Sequence, residues 1–188
     1  MIAKAGVTTA IDFAGPIEEV LDTIVTYGSG INFGCCNALT PKIFKNIDNP
    51  STAEIEEFID YSVKQGALGI KILGGHFPLS PDITQKVIES CNQKKIFIAF
   101  HAGTTNTSSN LEGMREAINL AKGYRMYLAH ISAYLRGSNK NHILELAEAI
   151  ELLKENPNVF SGSLCTVING TSAKCINGIP ASQVTCNC

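Results

Sequence analysis

No apolar stretch in the 188 residues reaches the roughly 18 that a membrane-crossing helix needs, and the N-terminus lacks the basic-then-apolar layout of a signal peptide. Basic residues are not gathered either. Of 15 lysines and arginines only Lys94-Lys95 are adjacent, which argues against a nucleic-acid partner. With 45% hydrophobic residues, 17% charged residues and a net charge of −2, these absences leave an ordinary soluble chain. It is expected in the cytoplasm, with no membrane and no nucleic acid among its partners. Cysteine is not scarce, but the seven form no zinc pattern. Cys186 and Cys188 are a close pair in "TCNC", and no second pair stands at knuckle spacing. Adjacent Cys35-Cys36 rarely pair with each other, and most of the thiols, Cys91 and Cys165 among them, read as small buried apolar groups. The glycosylation sequons at Asn106 and Asn169 carry no meaning in a cytosolic chain. No internal repeat and no linker interrupts the sequence, so residues 1–188 are expected to form one domain, long enough to bury a core.

The chain does carry a regular alternation. Strand-like runs cover 8–13, 30–39, 67–73, 95–101, 124–132 and 158–165. Between them, helical spacing covers 17–27, 53–65, 80–93, 111–122 and 142–156. Ser51 or Thr52 is placed to cap the second helix, whose Ile55, Phe58, Ile59 and Val63 make an apolar stripe. Ser80 followed by Pro81 opens the third. This rhythm predicts an α/β fold of about six parallel strands. An open doubly wound sheet and part of a (β/α)8 TIM barrel both fit it. A dinucleotide-binding sheet would show a glycine fingerprint at its first turn, and "DFAGPIEE" does not supply one. Polar residues decide for the barrel. Lys71, His101 and His130 each stand within or at the end of a different strand, and in a barrel those ends share one mouth. A closed barrel needs eight strands and typically about 250 residues, so the expected barrel is incomplete, short of one strand at each end.

Lys71 interrupts the apolar run of "GALGIKILGGHFPLSP", where an unpaired ammonium is costly. Its stem could lie buried with the amine reaching solvent. An apolar wall could lower its pKa for Schiff-base chemistry, as in a class I aldolase. The same neutral amine could take up CO₂ and become an anionic carbamate that bridges two metal ions. His101 and His130, 29 residues apart, favour the last, since facing neutral imidazoles suit a divalent metal such as Zn²⁺ and an aldolase needs no such pair. His76 reads as a loop residue near the mouth and His142 as a helix-end residue without chemistry.

The segments "AGVTTAIDF", "GALGIKILGGHFPLSP", "IFIAFHAGT" and "MYLAHISAYLRG" resemble the amidohydrolase superfamily, in its dihydroorotase, isoaspartyl-dipeptidase and N-acyl-D-amino-acid (D-glutamate) deacylase branch. The resemblance runs from about residue 5 to about residue 185. It implies a metal-dependent TIM barrel with Lys71 as carboxylated bridging ligand on strand 4, and His101 and His130 as ligands on strands 5 and 6. The departures are equally specific. The family's His-x-His pair occurs nowhere in this chain, and its strand-8 aspartate has no counterpart before the chain ends. Some deacylases place a metal-binding cysteine after "GVTT", where this chain has "DFAGP".

The expected chemistry is hydrolysis of a C–N amide bond, in an N-acyl-D-amino acid or a cyclic amide, by metal-activated water. Tyr134 and Arg136 stand beyond His130 where a substrate carboxylate could be met, and Asn169 offers a further small-molecule contact. One or two divalent ions, zinc first among them, are the implied cofactors. With part of the site missing, the chain alone is expected to bind metal poorly and hydrolyse little. A Schiff-base aldolase using Lys71 and a non-catalytic fragment with an assembly role remain as alternatives. Unpaired strand edges would make a homo-oligomer.

Overall fold

A computed structural model describes residues 2–40, 43–44 and 49–163, together with the strand pairing of Cys175–Ile176 and Ile179–Pro180. Six strands make one parallel sheet: β1 (Thr9–Asp12), β2 (Asn32–Leu39), β3 (Gly69–Leu73), β4 (Phe97–His101), β5 (Met126–Leu128) and β6 (Val159–Ser161). Helices α1 (Ile17–Tyr27), α2 (Thr52–Lys64), α3 (Pro81–Gln93), α4 (Leu111–Ala121) and α5 (His142–Glu155) alternate with them. Each strand pairs with the next in the chain, from β1 to β6, without the reversal of order that defines a doubly wound sheet. A sheet wound in one sense keeps its helices on one face and curls, and the result is an incomplete (β/α)8 barrel.

Local chemistry sets the helix starts. Ser51 Oγ accepts from the Glu54 amide at 3.2 Å while the Glu54 carboxylate accepts from the Ser51 amide at 2.9 Å, a reciprocal cap on α2. The Ser80 side chain caps α3, whose first residue is Pro81, and the Asn110 and Asn141 side chains cap α4 and α5. The main core lies between sheet and helices, where Ile70 and Ile72 of β3 meet Ile55, Ile59, Ile83, Val87 and Ile88. The stripe on α2 differs from expectation at one position. Val63 faces outward, 40% exposed, and Ser62 is buried in its place. Ser62 Oγ donates to the Phe58 carbonyl at 2.7 Å and accepts from Asn37 Nδ2 at 2.9 Å, so it satisfies a buried amide that valine could not. Cys35, Cys36 and Cys91 are buried free thiols, as the packing reading expects; the side chains of the other four lie outside the described residues.

Alternation along β3 turns Lys71 away from the helices, to the inner face of the curl. Its register partners are Ala38 on β2 and Ala99 on β4, and these two small side chains leave lateral room for a lysine stem. Below it the rings of Phe13, Phe97 and Tyr127 cluster with centroids 5.6–6.1 Å apart. Strand β5 is shorter than expected. The chain leaves the sheet after Leu128, and Ala129 still donates to the Phe100 carbonyl at 2.9 Å.

Candidate active site

Lys71, His101 and His130 come from three neighbouring strands at the end of the sheet where strands run into helices. Lys71 is 2% exposed, and its Nζ has no hydrogen-bond partner among the described residues; the Phe13 ring is 5.5 Å away. Burial lowers the amine from 10.5 to about 8, with Cys36 acting weakly the other way. His101 closes β4 and is paired in register with Leu73. His130 lies two residues past β5 with φ 37°, a left-handed backbone that histidine tolerates better than most residues.

The two imidazoles meet. His101 Nδ1 is 3.2 Å from His130 Nε2, with ring centroids 4.6 Å apart. Burial first, then the charges of His130, Lys71, His76 and Arg136, hold His101 down at about 3. Burial and Lys71 lower His130 as well. Both rings are therefore neutral at physiological pH, the form that ligates a metal. Two glycines shape this rim. A side chain at Gly74 would overlap the His101 and Gly103 carbonyls, and a Cβ at Gly75 would stand 2.5 Å from His101 Nε2. The break at Gly74-Gly75 after the strand thus makes room for the histidine of the next one.

The other expected contacts divide. His76 is exposed at the rim, its ring 6.1 Å from that of His101. Arg136 is exposed and near enough for its charge to reach both histidines. Tyr134 departs from expectation: it is fully buried, its hydroxyl donating to the Ala129 carbonyl at 2.6 Å and accepting from the Ala102 amide at 3.0 Å. It ties the end of β4 to the end of β5, with its ring 5.6 Å from that of His101, so its polar group serves the scaffold. Asn169 lies outside the described residues. Beyond Arg136, the buried Glu145 carboxylate accepts from the amides of Gly137, Asn139 and Lys140 at 2.7–3.1 Å and pins that loop to α5.

One partner was not singled out from sequence. Ser109 Oγ is 2.6 Å from His101 Nε2. It lies in the polar loop "TTNTSSN", where five of seven side chains carry hydroxyls and nothing local separates a histidine's partner from ordinary turn residues.

Among the described residues no three His, Cys, Asp or Glu side chains gather at ligating distance. The site offers two imidazoles and Lys71, so an ion here would need Lys71 as an oxygen donor. Two observations fit that need. Lys71 Nζ is one of the buried side-chain polar atoms among the described residues that lack a partner. Moreover, two nitrogens each at about 2.0–2.1 Å from one tetrahedral zinc stand roughly 3.4 Å apart, close to the separation of His101 Nδ1 and His130 Nε2.

No protein-family model matches the chain, and no curated protein matches it. Solved structures do. The chain is similar to a structure in the formyltransferase/hydrolase complex from Methylorubrum extorquens, with TM-score 0.65, 16% identity, and coverage of 85% of this chain and 35% of the other. It is also similar to an uncharacterized protein, with TM-score 0.55, 14% identity, and coverage of 85% and 42%. The chain spans less than half the length of either, and what it shares with them is the fold.

Proposed function

We propose that this chain carries part of the site of a metal-dependent amidohydrolase, acting on the C–N amide bond of an N-acyl-D-amino acid or a cyclic amide. The observation that carries this reading is the buried, unpartnered amine of Lys71 beside a neutral, converging pair of imidazoles. A neutral amine adds to CO₂ to give a carbamate and releases one proton. The product is an anionic oxygen donor, placed where the histidines supply nitrogen donors. Lys71, His101 and His130 would hold the ion, which when bound supplies Lewis acidity toward an amide carbonyl and toward water. The small side chains of Ala38 and Ala99 keep space around the lysine. Phe13 walls it with an apolar ring. Arg136, an exposed cation, would meet a substrate carboxylate.

Zinc content after incubation with zinc and bicarbonate tests the reading, comparing wild type with Lys71→Ala, His101→Ala and His130→Ala. Each substitution is expected to abolish retained zinc, and bicarbonate is expected to raise retention only while Lys71 is present. Equal zinc in all four proteins would sink the proposal. Borohydride trapping of an aldehyde or keto acid on Lys71, with no response to zinc, would turn the assignment to Schiff-base chemistry.

A further inference from the structure

Ser109, His101 and His130 form one hydrogen-bonded row, whose direction is set by its buried end. His101 Nε2 faces Ser109 Oγ at 2.6 Å, and His101 Nδ1 faces His130 Nε2 at 3.2 Å. Protons can run along this row in either sense. If the serine hydroxyl donates to His101 Nε2, then His101 carries its proton on Nδ1 and donates to His130 Nε2. His130 must then carry a proton on Nδ1. That nitrogen is buried and has no partner of hydrogen-bond geometry among the described residues, so this sense leaves a buried N–H with only its own residue's backbone near it. In the opposite sense His130 Nε2–H donates to His101 Nδ1, and His101 Nε2–H donates to Ser109 Oγ. His130 Nδ1 is then an unprotonated nitrogen, and an unmet acceptor costs less than an unmet donor. Ser109 is only partly buried, so its own proton can turn to solvent.

We infer that Ser109 is a positioning residue whose Oγ accepts the Nε2 proton of His101, fixing the tautomer that turns the Nδ1 lone pair toward His130. This rests on the metal-centre reading for its purpose but not for its test. A histidine that ligates through one nitrogen must hold its proton on the other, and a partner there raises metal affinity.

The serine is held in place to do this. Thr104 and Thr107 hydroxyls both donate to Glu116 Oε2 on α4, at 2.7 and 2.5 Å. The Thr105 amide donates to the Leu79 carbonyl, and Gly113 lets α4 close on the Ser108 carbonyl, where a side chain would overlap it. On the other side Gly75 confines the same edge of the His101 ring. An ion held by both histidines would still move the His130 proton to Nδ1, where only its own backbone is near, whereas His101 needs no change.

Nitrogen-15 NMR of the imidazoles in the metal-free full chain tests the row directly, with zinc affinity as a second reading. Wild type should show the Nε2–H tautomer at both His101 and His130. Ser109→Ala should shift His101 toward Nδ1–H and weaken zinc binding by about 10- to 100-fold. Ser109→Thr, which restores a hydroxyl, should recover both, and Ser108→Ala should change neither. Finding His101 as Nδ1–H in wild type, or an unchanged His101 tautomer in Ser109→Ala, would overturn the inference. Failure of wild type to bind zinc would sink the metal reading while the tautomers still decide the role of Ser109.

Discussion

Lys71 should make the metal-free protein less stable than a variant without it, and by a margin that pH controls. In the fold, burial lowers the amine from 10.5 to about 8. Unfolded, it keeps its ordinary value, so the gap is about 2.5 pH units, worth about 3 kcal/mol at 1.36 kcal/mol each. Between about 8 and 10.5 the unfolded chain binds the proton and the folded chain does not. Stability therefore rises with pH across that window, and below about 8 the full cost of enclosing an ammonium is felt. Lys71→Met keeps the stem's volume and removes the charge, and such replacements of buried ions are commonly stabilising. Urea unfolding in chelator and CO₂-depleted buffer is the assay, with equal m-values as the check that both proteins unfold alike. At pH 7 the variant is expected to be about 3 kcal/mol more stable, and by pH 10.5 the two curves should nearly coincide. Titrating groups that do not feel the lysine charge cancel in the difference; His101, His130 and Cys36 do feel it and contribute. A gap that stays constant from pH 7 to 10.5, or a variant less stable at pH 7, would refute the reasoning.

Three further outcomes follow from single contacts. His130→Gly should be about 1 kcal/mol more stable than His130→Ala in urea, because glycine adopts the left-handed backbone at this position without steric cost; equal stabilities would contradict that geometry. Gly75→Ala should displace the His101 ring and break its bond to Ser109, read as loss of the His101 Nε2–H signal, while the fold persists in circular dichroism. Burial pushes the Glu145 carboxyl up, but the amides of Asn139, Gly137 and Lys140 more than offset it and hold it below 4.5. Its stabilisation is present above 4.5 and lost as pH falls through the lower folded value. Glu145→Gln should thus cost about 1.5 kcal/mol at pH 7, with the gap to wild type closing in acid.

The fold was legible because βα alternation writes itself in two periods, and the helix starts at Ser51 and Ser80 follow from side-chain oxygens next to free amides. The site was legible in part. Lys71 and His101 stand on regular strands, where alternation and register carry a side chain to a known face. His130 lies beyond the last sheet residue of its strand, and its orientation depends on a positive φ that no periodicity announces. Tyr134 looked like a rim residue by distance along the chain, but the turn at Ile131–Tyr134 folds it back under His101. Ser109 and Ser62 were missed for one reason. A serine's role is set by what stands opposite, the Asn37 amide 25 residues away in one case and His101 Nε2 in the other, eight residues back across a loop whose path no periodicity announces.

The uninterrupted strand order has a consequence for how the chain is made. Among the described residues every sheet contact joins a strand to the one synthesised just before it, so assembly of these strands can follow translation. Pairing of β2 with β3 covers one flank of Lys71, and only docking of β4 covers the other. Before β4 docks, that side chain keeps one open flank. Docking of β4 completes the burial that lowers its basicity, so the neutral form gains population only as the sheet assembles.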